Sequence, residues 1–302
     1  METRQVDKEI ELYFPPEERE TADVIEAACK RSCAIIGNLW GFTPPKRCRL
    51  YVMTSGFRFV FQASPWYICI PYALLLPLWF FRMRKVWRFS GGWTLRYRHR
   101  PAIGIKPPRL LAKSDRSMGE MIFIEEPDFK KKMEHLTCHE LTHAFSAHLK
   151  LPLWLNEGIA MVTVDKYLGH ATVRSETLRR LNRPQHRGSA GKYRNLPAMS
   201  KEVAVYHYVR GYWITRFLMD THPGLLKELL QKKHHHRLIE KKIAAALGVS
   251  NKTFWEAVDE RVIAHFGENS IPSEPQGEAD GRQPLRSGCI GESPAAASRR
   301  SP

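Results

Sequence analysis

Two short motifs constrain the fold of this chain more strongly than any other feature of its sequence. Residues 139–143 read HELTH and residues 154–160 read WLNEGIA. Residues four apart lie on one face of a helix, so His139 and His143 can bind a single ion. Glu140 lies between them and can hold a water molecule bound to that ion. Glu157, in a second predicted helix, is well placed to be a third protein ligand.

This donor set is typical of a catalytic zinc site, in which two imidazoles and one carboxylate leave a position open. A pair of surface histidines with a solvated glutamate would also give an HExxH pattern, but it would not explain the companion motif. Thirteen residues separate His143 from Glu157. His148 lies one residue short of the spacing of an HExxHxxGxxH site, and residues 144–146 lack its glycine, so Glu157 is the preferred third ligand. We therefore predict one bound Zn²⁺.

The composition is that of a globular protein, but the charge is unusual. The 302 residues are 43% hydrophobic and 26% charged, enough for one large domain or two small ones. The net charge is +16, and two stretches, 82–116 and 174–194, are strongly basic. These stretches form either a solvated surface or a site of attraction to an acidic substrate, a membrane or a nucleic acid. The sequence has no nucleic-acid-binding motif, so no specific nucleic acid is predicted.

The six cysteines show no framework spacing, and the charged first residues do not resemble a secretory signal. These features favour a reducing, cytoplasmic setting, with membrane association left open. Cys138 adjoins the first histidine but points elsewhere around the helix, so we expect a packed thiol there.

The apolar stretch 60–81 (VFQASPWYICIPYALLLPLWFF) has nearly the length of a membrane span, and basic residues follow it. Pro65, Pro71 and Pro77 would break the backbone hydrogen bonding that a lipid-exposed helix requires. Three interpretations follow: a span, an interfacial or re-entrant segment, and a buried or pocket-lining insert. The prolines favour the insert, and contact with a membrane surface through residues 60–88 remains an alternative.

The coarse pattern predicts a mixture of helices and strands in three regions. Residues 1–15 form an N-terminal extension, 16–266 the main domain with an insert at about 57–90, and 267–302 a disordered tail. Strands are predicted at 49–54, 93–98 and 121–124, with a loop or broken strand at 101–111. Helices are predicted at 16–40, 129–149, 153–168, 202–220, 225–230 and 241–266, with a polar loop at 182–200.

The two motifs together resemble those of the gluzincin metallopeptidases. Residues 151–160 (LPLWLNEGIA) are similar to a segment of the peptidase MA-like group, and the likeness covers roughly residues 20–230. It implies an α+β, zincin-like fold, with a small mixed sheet, an active-site helix and a mainly helical C-terminal subdomain. It also implies zinc binding by His139, His143 and Glu157, with Glu140 as the general base.

Related enzymes stabilise the oxyanion with a tyrosine or histidine from a later helix, and Tyr208 matches that position best. The alternatives in the same predicted helix are Tyr206, His207 and Tyr212. The resemblance is incomplete, because the chain lacks a Gly-x-Met-Glu-Asn segment that anchors a substrate's amino terminus. Met161 also stands where thermolysin-like relatives have an aspartate, and Asp165 lies too far along the helix to replace it.

The sequence thus favours a zinc-dependent metallopeptidase acting on a peptide or protein, with a preference for acidic substrates indicated by the basic stretches. One alternative is a non-catalytic zincin-fold protein that binds a membrane or protein partner through its apolar insert and basic patches. Another is a hydrolase of non-peptide amides or esters, which would share the same site.

Overall fold

A computed structural model describes residues 1–97, 100–114, 116–182 and 200–267, and the described residues belong to one compact unit. Their backbone forms a five-stranded sheet in the order β1-β2-β3-β5-β4. The strands are β1 Glu2–Asp7, β2 Ile10–Phe14, β3 Cys48–Val52, β4 Gly92–Tyr97 and β5 Arg100–Ile105. The three central strands are parallel to one another, whereas β1 and β4 run antiparallel at the two edges. The sheet is therefore mixed, as predicted.

Twelve α-helices accompany the sheet in the described part of the chain. They are α1 Arg19–Trp40, α2 Gly56–Ala63, α3 Trp66–Leu74, α4 Leu76–Phe89, α5 Pro108–Leu111, α6 Ser117–Glu120, α7 Phe129–Ser146, α8 Leu153–Leu168, α9 Lys201–Thr221, α10 Pro223–Gln231, α11 His236–Leu247 and α12 Phe254–Gly267. Short 3-10 segments lie at Pro16–Glu18, Ala147–Leu149 and Ser175–Asn182. The predicted α+β class is confirmed.

Strand alternation divides the sheet into two faces with different coverings. In β3, Leu50 and Val52 pack into a large core that includes residues of α1 and α7. Tyr51, between them, belongs to a smaller core on the opposite face, with Phe59 of α2 and Met83 of α4. Helix α7 therefore lies against one face of the sheet, and the insert covers part of the other.

The insert predicted at about 57–90 lies between β3 and β4 as helices α2, α3 and α4. The prediction that this insert is buried or lines a pocket is wrong for residues 66–81. Helix α3 contains no buried residue, and several large side chains of this segment are exposed. No helix of the described chain is by itself long and apolar enough to cross a membrane. The pair Trp66–Leu74 and Pro77–Phe89, bent by 89°, reaches the required length and composition together.

Helices α8, α10 and α12 pack against α9. A buried ion pair joins α9 to α12: the guanidinium of Arg210 donates to both carboxylate oxygens of Asp259, at 2.9 and 2.6 Å. The same guanidinium lies 4.1 Å from the ring centroid of Trp255. These contacts satisfy a charge that would be costly to bury alone.

Several predicted boundaries differ from the structure. Residues 121–124 do not form a strand; they make one isolated bridge, between Phe123 and Val173. Residues 101–111 contain most of β5 and the short helix α5, and the N-terminal extension supplies β1 and β2. Most of the predicted loop at 182–200 and nearly all of the predicted tail lie outside the described residues.

Candidate metal centre

The first half of the candidate site is on α7. The carboxylate of Asp128 accepts a hydrogen bond from the backbone N–H of Lys130 at 2.8 Å and caps the start of the helix. Further along, the four-residue spacing places the rings of His139 and His143 on one face, with centroids 4.6 Å apart. Their Nε2 atoms are 3.1 Å apart. Both imidazoles therefore point toward a common position.

Helix α8 brings Glu157 to the same position. The chain turns at Lys150, whose φ is +51°, and α8 begins after Pro152. The Glu157 carboxylate oxygens lie 3.4 Å from Nε2 of His139 and 3.5 Å from Nε2 of His143. One donor atom from each residue lies within 4.8 Å of the other two. The structure thus groups the three residues that the sequence predicts as ligands.

Close packing of α8 against α9 fixes the position of Glu157. A Cβ on Gly158 would lie 2.1 Å from Oγ1 of Thr215 and 2.3 Å from the carbonyl oxygen of Gly211. A Cβ on Gly211 would lie 2.1 Å from the carbonyl oxygen of Trp154. Both glycines therefore allow a backbone approach that no larger residue permits.

Glu157 and His139 stabilise each other's charged forms. Burial opposes ionisation of Glu157, but the nearby His143 and His139 outweigh it and hold the carboxyl pKa far below its usual range. Burial would lower the pKa of His139, but Glu157 and Glu140 raise it above its usual value. The site therefore holds a buried carboxylate that positive charge stabilises.

The donor set fits a small divalent cation. Donors bound tetrahedrally at about 2.0–2.2 Å lie roughly 3.3–3.6 Å from each other, by the geometry of a tetrahedron. The two imidazole nitrogens are 3.1 Å apart, and each lies 3.4 or 3.5 Å from a different oxygen of Glu157, so the donors are spaced on the scale of that edge length. Imidazole nitrogens with a carboxylate oxygen suit zinc and several other transition metals. His139, His143 and Glu157 could therefore hold a metal ion.

Glu140 lies between α7 and the edge strand β4. Its carboxylate accepts a hydrogen bond from Oγ1 of Thr94 at 2.5 Å, and a Cβ on Gly92 would lie 2.7 Å from its Cγ. Its charge also raises the pKa of His139, which places it beside the donor set. Strand β4 therefore orients Glu140, an interaction that the sequence analysis missed.

Asn156 is a second residue that the sequence analysis missed. Its fully buried amide Nδ2 lies 2.7 Å from Nδ1 of His143, and its Oδ1 accepts a hydrogen bond from Ser146 Oγ at 3.0 Å. When Nε2 of His143 binds a cation, Nδ1 carries the proton, and the amide must present its oxygen. A hydroxyl can accept as well as donate, so Ser146 can serve either amide orientation. Asn156 therefore fixes the direction of the His143 ring.

Tyr208 lies close to the site, whereas the neighbouring tyrosines have structural partners. Burial raises the pKa of Tyr208 well above its usual value, and the charges of Glu157 and Glu140 raise it further. The hydroxyl of Tyr206 donates to Asp259 at 3.4 Å, and that of Tyr212 donates to Asp165 at 2.7 Å. Tyr208 is therefore the tyrosine of α9 whose pKa is raised by the charges of Glu157 and Glu140.

Other residues considered from the sequence lie away from this group. Asp165 also accepts hydrogen bonds from the backbone and hydroxyl of Thr172, each at 2.7 Å. Cys138 is buried, and burial raises its thiol pKa to about 12, as expected for a packed cysteine. In the histidine run at 234–236, the ring Nδ1 of His235 accepts a hydrogen bond from the backbone N–H of Arg237 at the start of α11.

Comparison of the chain with protein-family models gave no match, and comparison with curated proteins gave none either. The gluzincin resemblance therefore stays a prediction from the two motifs.

Proposed function

We propose that this protein is a zinc-dependent metallopeptidase of the gluzincin type with a zincin-like fold. The observation that carries the proposal is the group of two imidazoles and one buried carboxylate whose donor atoms lie within 4.8 Å of one another, with a second carboxylate on the same helix as the histidines. A purely structural site would be closed by a fourth protein ligand. The order of the elements, a mixed sheet followed by the HELTH helix and further helices, also supports the assignment.

Each residue then has a defined role. His139, His143 and Glu157 would hold zinc, which when bound supplies a Lewis acid and lowers the pKa of a water ligand. Glu140 accepts the proton of the attacking water and returns it to the leaving amine. Thr94 keeps the Glu140 carboxylate in place for both transfers. The Tyr208 hydroxyl donates a hydrogen bond to the developing oxyanion.

An acidic peptide or protein is the substrate class that the charges favour. Arg96 is exposed and follows Thr94 by two residues on the same face of β4. Positive charge on the strand that contacts Glu140 attracts carboxylates on a substrate. We expect faster cleavage of acidic peptides from a mixed library; equal cleavage of acidic and basic peptides would contradict the preference.

Substitution Glu140→Gln tests the catalytic role without disturbing the metal ligands. We expect bound zinc at the wild-type stoichiometry and a loss of peptide hydrolysis of at least about 100-fold, the scale of general acid–base catalysis. Metal analysis and a peptide-library assay measure the two quantities. Full activity in the zinc-loaded variant would refute the assignment.

Substitution His143→Ala tests the ligand set, and His148→Ala is its matched control. The first should abolish tight zinc binding, whereas the second should leave it unchanged, because His148 contacts the Phe145 carbonyl and lies outside the donor group. A wild-type protein that takes up no metal would overturn the proposal. Metal binding without hydrolysis of peptides, amides or esters would instead support the non-catalytic alternative.

A further inference from the structure

Helix α3 and the first part of α4 expose a continuous set of large apolar side chains. Trp66 and Leu74 are each 76% exposed, Leu78 is 80% exposed and Phe81 is 75% exposed. Sequence positions 66–81, here called the apolar hairpin, contain no charged residue. A soluble monomer rarely leaves an apolar patch of this kind in water, and such patches mark sites of interaction.

The apolar hairpin has a defined shape. The indole N–H of Trp79 donates to the carbonyl oxygen of Tyr72 at 2.8 Å, and the two rings pack with centroids 5.4 Å apart. Phe57 of α2 stacks on Phe80 with centroids 5.1 Å apart and also contacts Trp79. The inner side of the apolar hairpin is thus tied to the rest of the protein, and its outer side remains exposed.

Each arm of the apolar hairpin is too short to span a bilayer. Helix α3 has nine residues, which extend about 13 Å, whereas the hydrocarbon core is about 30 Å thick. The pair is bent by 89°, and α4 becomes basic soon after Phe81. This geometry suits insertion into the outer part of one leaflet rather than passage through it.

The surrounding charge indicates the chemistry of the partner. Arg84 and Arg88 of α4 are exposed just beyond the apolar hairpin. The sequence contains no Asp or Glu between Glu26 and Asp115, so no acid of this stretch repels a negative surface. Trp66 and Tyr67 belong to the residue types enriched at membrane interfaces.

We propose that the apolar hairpin inserts into the surface of an anionic phospholipid bilayer, with Arg84 and Arg88 facing the headgroups. A second copy of the chain suits the surface less well, because a symmetric dimer would place the arginines of both copies near each other. The proposal does not depend on the metal site and would stand if that site proved inactive.

Co-sedimentation of the full chain with phospholipid vesicles tests the proposal. We expect binding to phosphatidylcholine vesicles that contain about one third phosphatidylserine, and much weaker binding to phosphatidylcholine alone. Raising the salt from about 0.1 M to about 0.5 M should weaken the binding to anionic vesicles. Equal binding to both vesicle types, independent of salt, would overturn the role of charge.

The double substitution Leu74→Asp with Leu78→Asp should reduce vesicle binding roughly tenfold or more, since it places charges where acyl chains would lie. Both positions are exposed, so the fold should be preserved, and circular dichroism checks this. The matched control is Ile124→Asp with Leu238→Asp, at exposed apolar positions away from the apolar hairpin. The control should bind as the wild type does, and an equal loss in both would overturn the proposal.

The arginines are tested separately. Substitution of Arg84 and Arg88 by glutamine should weaken binding to the anionic vesicles and reduce its salt dependence. The same change at the exposed Lys232 and Lys233 removes equal charge elsewhere and should have little effect. Absence of vesicle binding, together with dimerisation that the Leu74→Asp and Leu78→Asp variant abolishes in analytical ultracentrifugation, would refute the bilayer as the partner.

Discussion

At the scale of single residues, the site combines groups that are costly to bury with neighbours that offset the cost. Glu157 is 2% exposed, and both candidate histidine ligands lie within 3.5 Å of its carboxylate. Asn156 lies behind His143, and Thr94 lies behind Glu140. The function of each reactive side chain therefore depends on a polar neighbour that would contact neither metal nor substrate.

Substitution Asn156→Ala should lower zinc affinity by about 10- to 100-fold, because the His143 ring loses the partner that fixes its direction. Competition with a chromophoric chelator measures this affinity. The exposed Asn38 provides a control, and Asn38→Ala should bind zinc as tightly as the wild type. Unchanged affinity in Asn156→Ala would show that packing alone orients the ring.

Lys106 is 2% exposed; its ammonium donates to Ser114 Oγ at 2.9 Å, and burial lowers its pKa from 10.5 to about 8. Between pH 8 and 10.5 the unfolded chain binds more protons at this residue than the folded protein does. The free energy of unfolding should therefore rise with pH across this window. Compared with Lys106→Met, the wild type should gain stability from pH 7 to pH 10 in urea denaturation. A difference that stays constant with pH would contradict this.

The motifs allowed His139, His143 and Glu157 to be predicted because local helix geometry determines their spacing. Thr94 could not be predicted in the same way, since it lies 46 positions before Glu140 and only the packing of α7 against β4 brings the two together. Asn156 carried a weaker signal, its position directly before a candidate ligand. A pattern of spacing cannot show which side of a helix meets which neighbour.

At the scale of elements, the contact between α8 and α9 determines the position of the third ligand. Gly158 and Gly211 lie at the crossing, and each meets backbone atoms of the other helix. A shift of either helix would displace Glu157, which directly precedes Gly158, or Tyr208, which lies three residues before Gly211. The crossing is therefore part of the site although no reactive atom belongs to it.

Substitution Gly158→Ala should lower the free energy of unfolding by about 1–3 kcal/mol or more, since the added methyl group overlaps Thr215 and the Gly211 carbonyl. Urea denaturation measures the loss. A Cβ on Gly224, in α10, would meet no atom within 4 Å, so Gly224→Ala is the matched control. We expect the control to be neutral or slightly stabilised. Equal effects at both glycines would contradict a tight crossing.

Elements with clear end signals were the most predictable. Helix α1 follows a proline pair and ends at Gly41, which has a φ of +72°, and both signals were visible in the sequence. The strand predicted at 121–124 was wrong because its apolar run forms one bridge rather than a ladder. In β2, Ile10, Leu12 and Phe14 alternate with polar or less buried residues, a pattern typical of a strand within the predicted N-terminal extension.

At the scale of the whole molecule, the metal ligands lie on two helices that pack against each other and have different further partners. Helix α7 also packs on the sheet, and α8 also packs on α9. A metal bound between α7 and α8 would therefore stabilise the folded state relative to the unfolded chain. Composition and periodicity could not reveal this, nor could they show that residues 66–81 are exposed rather than buried.

Removal of zinc should lower the melting temperature measurably. A free concentration of about 100 times Kd stabilises a single site by about 2.7 kcal/mol, which corresponds to roughly 5–10 °C for a domain of this size. Differential scanning calorimetry with zinc and with a chelator measures the shift. The His143→Ala protein should show no shift, and a shift in that variant would place the stabilising ion elsewhere.

The glycine contact between α8 and α9 also limits how the site can move. Because the two helices touch backbone to backbone, they cannot slide past each other, and Glu157 and Tyr208 must travel together as parts of one rigid body. Helix α8 is also tied to α7, because Asn156 contacts His143 at 2.7 Å and Ser146 at 3.0 Å. A substrate would therefore meet a ligand set whose spacing is already fixed, and the protein would not need to rearrange these helices to bind the metal.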